Sequence, residues 1–394
     1  MNAAEPSTTD RTVTLVLEPL DVLFFRDGRP FGHSGQAESL PMPLPQTLAG
    51  AVCTALLEQH GCPFTELAAA IRQQPCFAAA LEHLGLPPWL AQVEIRGPFL
   101  GREPGNSRKP DDIELLYPMP ANLVRDDDHA PPETLFPLPP SCVLPGWNTT
   151  RSSKLGLRPL WRSEREKNQR VPGFLSTRGM SDYLAGRPVQ SQHVVSAAEL
   201  YGFDTRTGIG IDRRSQTAQD QLIYSATFLS LNNDPRRGGR VVFVAEVSFP
   251  EACERAAWPA SVSSIPWGGE GRRVAVEPID RGLDRLHPTT DTDEDASEFY
   301  VLTTPAVFDN RWCPARLQDR VVAAAVPGSV AVSGWDLAAG GPKPSRHAAV
   351  AGSVYFIRGS LDSHPSSLAD RALDRQQGWG CYLRGVWHDE HGND

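Results

Sequence analysis

Nine residues, LFFRDGRPF (Leu23 to Phe31), hold two guanidiniums, Arg26 and Arg29, between phenylalanines on an Asp-Gly turn. Gly28 permits the tight bend, and paired arginines suit gripping an anion better than decorating a surface loop. Two further stretches have the same make-up. RTGIGIDRR sets Arg206, Arg213 and Arg214 around Gly208 and Gly210, and GGPKPSRHAAV sets Lys343, Arg346 and His347 in a loop bounded by glycine and proline. The first reads either as a turn whose backbone N–H groups approach a phosphate or as a tight β-turn with a solvated basic face. The second, alone, reads as a solvated turn. Together they make three basic, glycine-containing loops, each beside an apolar strand, which is the pattern of a groove that tracks a nucleic-acid backbone.

Other chemistries lack their residues. RTGIGIDRR has Arg213 where a dinucleotide fingerprint requires glycine, and the chain contains neither a P-loop nor a G-x-S-x-G elbow. Asp126, Asp127 and Asp128 are consecutive, so they point in different directions, and RDDDHAPPE reads as an exposed loop. The ten histidines form no H-x-H or H-x-x-x-H pair. Only His33 and His347 lie in polar, glycine-rich surroundings from which acid–base cleavage of RNA could be run, and a solvated loop is the plainer reading of each. Seven scattered cysteines without a C-x-x-C pair read as free, mostly buried thiols rather than a zinc site. No metal, cofactor or catalytic residue is expected.

The net charge of −9 argues against a freestanding nucleic-acid binder, but it is unevenly spread. Residues 151–214 carry 12 Lys/Arg against 6 Asp/Glu, a local +6 that leaves −15 for the remainder. Such asymmetry fits a protein that grips a polyanion with one surface and meets partners with another. Arginine outnumbers lysine 34 to 4, which a GC-rich genome would also produce. No apolar run approaches a membrane span, and MNAAEPSTTD lacks the features of a secretion signal, so a polar leader on a cytoplasmic protein is expected.

The elements that must carry these loops mix strands and helices without a βαβ rhythm, which predicts an α+β fold of about two domains in 394 residues. Val13–Leu17 reads as a strand. Prolines 41, 43 and 45 lead into a helix over roughly 46–60, closed by Gly61, and a second helical region over 64–84 is interrupted at Pro75. Short strands are expected in AQVEIRGPFL, IELLYP, VYFIRG and GCYLRGVW. Ile223–Leu231 and Val241–Phe249 are expected to pair with each other across NNDPRRGG. The charged stretch after Trp147 reads as a projecting arm, and 288–298 as an acidic loop. The expected division is an N-terminal domain over 1–150, a basic arm over 151–205 and a C-terminal domain over 206–394.

Taken in order, LEPLDVLFFRDGRPF, LPMPLPQTLAGAVCTALL, GIGIDRRSQTAQDQLIYSATFLSL, KPSRHAAVAGSVYFIRG and GWGCYLRGVW resemble the third subunit of the Cmr complex. That complex is the type III-B CRISPR RNA-guided effector of antiviral defence, and the subunit belongs to the RAMP superfamily. The motifs span nearly the whole chain, although 87–200 carries little signature. The resemblance implies two ferredoxin-like (RRM-like) βαββαβ domains with long insertions, including a thumb-like hairpin. It implies RNA binding in a ribonucleoprotein: the chain would cap the repeat-derived 5′ handle of crRNA, between the backbone RAMP subunit and the large polymerase-like subunit. Arg26, Arg29 and Phe31 would lie at the handle, and Gln46 and Thr47 would offer helix N–H groups to a phosphate. Arg206, Arg213, Arg214, Lys343, Arg346 and His347 would continue the track. No paired aromatics of RNP type are present, which favours loops over a sheet face as the RNA surface.

Three functions compete on these grounds. The first is a noncatalytic subunit that holds the crRNA handle, and it is the reading adopted. A metal-independent endoribonuclease that processes CRISPR repeat RNA is the second, and a purely structural assembly subunit is the third.

Overall fold

The computed structural model describes residues 11–26, 36–103, 112–127, 130–142, 144–147, 150, 155–161, 169–212, 214–215, 217–233, 239–254, 257–279, 282–283, 286, 296–336 and 340–388. Arg29, Phe31, His33 and Arg213 lie outside this set. The fold is α+β, with mostly antiparallel sheets and few helices. No helix among the described residues is long and apolar enough to cross a membrane.

β1 (Thr12–Pro19) is buried on both faces from Val13 to Leu17 and is covered on both. Val13, Leu15 and Leu17 join the main core, while Val16 packs with Val242 and Val244 on the opposite side. β1 lies between the antiparallel strands Arg240–Ser248 and Arg273–Ile279. Arg240–Ser248 pairs in turn with Glu94–Glu103, which is followed by Glu114–Pro118 and Phe174–Ser176. The expected pairing of Ile223–Leu231 with Val241–Phe249 does not form. Val241–Val247 is buried at every position and takes a central slot that only two flanking strands can cover.

α1 (Pro45–Gln59) starts at a proline, whose missing N–H costs nothing in the first turn. Leu48, Val52, Ala55 and Leu56 pack onto the sheet, each large side chain contributing roughly 1.5–3 kcal/mol. Gly61 closes the helix at φ +69°, and its N–H donates to the carbonyl of Glu58. α2 (Phe64–Gln73) and α3 (Phe77–His83) flank Pro75 as expected.

The second sheet runs Val321–Ala325, Val354–Ile357, Ala296–Leu302, Tyr382–His388, all antiparallel. Phe299 and Val301 turn to one core with Phe356 and Trp387, and Tyr300 and Leu302 turn to another with Tyr355 and Leu368. Ala296–Glu298, expected in an acidic loop, begins this sheet. The rest of that tract lies outside the described residues.

The middle of the chain departs most from expectation. Phe174–Ser176 belongs to the first sheet, and Met180, Tyr183 and Leu184 of the helix Thr177–Leu184 are core residues against Phe299. From 174 onward the segment expected as an arm joins the body, and its Asp182 is buried and paired with Arg187. The first sheet also takes strands from both sides of residues 150 and 206, so those boundaries cut through it. The long hairpin is elsewhere: Tyr201–Ile211 pairs with Ala218–Leu231. All seven cysteines are free thiols, with Cys76 and Cys142 exposed.

Candidate nucleic-acid interface

The stretch LFFR is fixed at the base of the long hairpin. Leu23 exchanges backbone hydrogen bonds with Leu229 at 2.8 Å, and Ser39 holds both chains, its hydroxyl accepting from the Phe25 N–H at 3.0 Å and its own N–H donating to the Thr227 carbonyl at 2.9 Å. Phe24 and Phe25 are both buried. Phe25 meets Trp267 edge-on at 5.0 Å and Phe24 meets Phe228 at 5.3 Å. With its phenylalanines pinned on two sides, the chain delivers Arg26 to the surface, where its backbone bridges to Ser39.

Arg26 opens onto a cleft of about 320 Å³ shared with Thr47, Thr54, Pro266 and Gly268–Gly269. The start of α1 forms one wall. Leu44, just before the helix, packs with Val332, Ala348 and Trp379, so the second half of the chain fixes the helix end. The Gln46 amide donates to the Ser333 carbonyl at 2.6 Å, and the Lys343 N–H donates to the Gly334 carbonyl at 2.7 Å. A Cβ at Gly334 would lie 3.6 Å from the Gln46 amide nitrogen and 3.8 Å from Cδ of Lys343. Thr47 thus shares the cleft with Arg26, while Gln46, one residue before it, ties the loop that carries Lys343 to the same helix start, where the dipole presents its positive end. The Thr47 hydroxyl donates to the Leu44 carbonyl at 2.7 Å, so it offers a ligand its lone pairs.

The remaining basic positions serve other ends. Arg206 donates to Asp204 at 2.8 Å, approaches Asp21 at 3.6 Å and lies over the Phe228 ring at 5.2 Å. Arg272 bonds the same Asp21 at 2.7 Å and lies over the same ring at 4.7 Å. The Val22 backbone N–H, with help from the two guanidiniums, holds the Asp21 carboxyl below its ordinary range. This cluster locks the hairpin behind the Phe24 wall of the cleft. Gly208 and Gly210 lie within a strand, which removes the phosphate-turn reading; the turn comes after them, where Asp212 accepts from the N–H groups of Arg214 and Ser215 at 2.8 and 2.9 Å. At 3.3 Å per residue, the Ala218 end of the hairpin stands roughly 35 Å from the Leu23–Leu229 anchor, so Arg214 at the tip does not join the cleft. Arg346 makes a bidentate ion pair with the buried Asp374 at 2.7 and 2.8 Å and is structural. His347, on the opposite face of that strand, is exposed.

Residues not singled out from the sequence complete the site: Thr54 and Gly50 on α1, and the Gly268–Gly269 turn. WGGEG could have been found as a glycine-rich turn, but nothing local in the sequence shows that it faces residue 26. Among the described residues, no group of three or more His, Cys, Asp or Glu side chains is placed to hold a metal.

Fold and site define an α+β protein with a small cleft between the start of α1, the Phe24–Arg26 stretch and the Gly268–Gly269 turn. The chain belongs to the CRISPR-associated protein (Cas_Cmr3) family, whose model matches residues 15–387, in keeping with the resemblance to the third Cmr subunit. Two solved structures with which it aligns are chains of the type III-B Cmr-beta complex. One is bound to cognate target RNA and AMPPnP, at 19% identity, and the other to cognate target RNA, at 18%. Each covers 87% of this chain and 86% of its own, with a TM-score of 0.41. No curated protein matches the chain.

Proposed function

We propose that this chain is a noncatalytic subunit of a type III-B CRISPR effector that binds and caps the repeat-derived 5′ handle of crRNA. The observation that carries the reading is the cleft that Arg26 and Thr47 share at the start of α1, with mixed apolar and hydroxyl walls, beside the Gln46–Ser333 bond that holds the Lys343 loop. An unpaired RNA end needs cations for its backbone and apolar surface for its bases, and the cleft offers both. The net charge of −9 leaves the rest of the surface for protein neighbours, which in this reading are the backbone RAMP subunit and the large polymerase-like subunit, in the cytoplasm.

Each sheet supports a ferredoxin-like unit. In the first, the order Arg273–Ile279, β1, Arg240–Ser248, Glu94–Glu103 is the fourth, first, third and second strand of a βαββαβ chain, with α1 as its first helix. In the second, Tyr382–His388, Ala296–Leu302, Val354–Ile357 and Val321–Ala325 repeat that order, with Ala372–Gln376 before the last strand. Domain one is then 12–118 with 240–279, domain two is 296–388, and the long hairpin Tyr201–Leu231 is the thumb-like insertion.

Incubating the purified full-length chain with repeat-derived RNA and EDTA tests the reading. Tight, salt-sensitive retention of intact handle RNA is expected. Site-specific cleavage that is lost in His33→Ala or His347→Ala would establish the endoribonuclease instead.

A further inference from the structure

Gly50 is an anomaly. It lies inside α1, it is exposed, and a Cβ added there would meet nothing within 4 Å. Glycine within a helix is less favourable than alanine, and here neither a close neighbour nor a left-handed backbone requires it. The residue leaves space, and that space is the cleft. Thr47, Gly50, Ala51 and Thr54 recur at helical spacing on this one face, with hydroxyls at both ends and small residues between, while the other faces carry Leu and Val into the core.

The opposite wall is held rigidly. The Gly269 N–H donates to the Phe24 carbonyl at 2.8 Å, and Gly268, at φ +91°, lies so close that a Cβ would come within 2.7 Å of that same oxygen. At about 320 Å³ the cleft is at the small end of ligand pockets, large enough for one nucleotide-sized group and too small for a duplex. A site for phosphate alone would be lined by donors. This one has hydroxyls, phenylalanine edges and flat glycine peptides inside, with one guanidinium, Arg26, among its lining residues.

We propose that this cleft receives a single unpaired base of the bound RNA, between the Thr47–Thr54 face of α1 and the Gly268–Gly269 turn, with Arg26 on the adjoining phosphate. The proposal rests on the RNA-binding reading above and adds to it a site that selects one nucleotide position.

The test uses the full-length chain, a labelled single-stranded handle RNA and a set of handles with one abasic substitution at each position in turn. The wild-type chain should lose about tenfold in affinity at one position and little elsewhere. Gly50→Leu, which fills the cleft from a helix-compatible residue, should bind intact RNA about tenfold more weakly, lose its sensitivity at that position and melt no earlier than wild type. Thr54→Val, which keeps shape and removes the hydroxyl, should weaken discrimination among bases at the same position only. Uniform small losses across the abasic set, with Gly50→Leu binding as wild type, would overturn the proposal and leave the RNA-binding reading standing. Failure of the wild-type chain to bind any handle would overturn both. A free mononucleotide that binds wild type but not Gly50→Leu, in a protein indifferent to abasic sites, would assign the cleft to a small molecule and overturn the RNA version.

Discussion

Gln46 and Ser333, 287 residues apart, are joined by a hydrogen bond of 2.6 Å from the Gln46 amide to the Ser333 carbonyl. This bond ties the loop that carries Lys343 to the helix start that forms one wall of the cleft, so positions far apart in the sequence become one surface. Gln46→Ala should cost about 1 kcal/mol of stability and weaken RNA binding severalfold, because Lys343 then loses its fixed place. Gln46→Glu should be worse on both counts, since it sets a carboxylate against a carbonyl and adds negative charge. Denaturant melts and filter binding check both variants.

In the proposed reading Arg26, which lines the cleft, and Lys343, on the loop tied to the helix start, contact RNA phosphates, and Arg206, bonded to Asp204 and Asp21, holds the hairpin. Arg26→Ala and Lys343→Ala should each make the plot of log affinity against log salt shallower by about one unit. Arg206→Ala should leave that slope unchanged and raise protease sensitivity along the 201–231 hairpin. Salt titrations of the three variants separate binding cations from holding ones.

Arg346→Ala should destabilise the protein by about 3 kcal/mol, because it strands the buried Asp374 carboxylate. Arg346→Ala with Asp374→Asn should recover part of that loss while the salt slope of RNA binding stays as in wild type. This outcome would identify the pair as structural, and chemical denaturation measures it.

Glu298 is the hub of a second polar cluster. Burial raises its pKa, but Tyr300, His364 and the Leu361 N–H all bond to the carboxylate, and together they hold it below its ordinary value of 4.5. Arg384 adds a contact at 3.0 Å. A carboxyl with a lowered folded pKa contributes stability in full above its unfolded value and loses it as the pH falls through the folded one. The melting temperature should therefore be flat with respect to this group above about pH 5 and fall below 4.5, and Glu298→Gln should flatten that acid limb while lowering stability at neutral pH. Thermal melts across pH 3–7 provide the check.

Gly385 lies where Phe299 crosses its strand, and a Cβ there would come within 2.1 Å of the ring. Gly385→Ala should cost about 3 kcal/mol through overpacking, with Phe299→Leu as partial rescue, read by denaturant midpoint.

How much of this was legible in the sequence depended on how local each determinant was. α1 and its Gly61 stop were readable because prolines, helical spacing and a terminal glycine lie within one short segment. The basic loops were recognisable by composition, but composition does not show which guanidinium is already paired. Asp374 lies 28 residues beyond Arg346, and Asp21 lies 185 residues before Arg206, so neither ion pair can be read from the loops themselves. The pairing of Ile223–Leu231 was misassigned because turn residues at 232–239 imitate a hairpin, whereas the deciding fact is burial of Val241–Val247 on both faces. Helix Thr177–Leu184 was hidden by its charged neighbours: Met180, Tyr183 and Leu184 make a narrow apolar stripe that segment-wide charge obscures.

The most direct measurement is photo-crosslinking of 4-thiouridine placed along the crRNA handle in the assembled effector, followed by mapping of the crosslinked peptides. The account predicts crosslinks in peptides containing Phe24–Arg26, Gln46–Thr54 and Ser333–Lys343. Crosslinks confined to the hairpin tip around Arg214, or to peptides of the Tyr382–His388 strand, would contradict it.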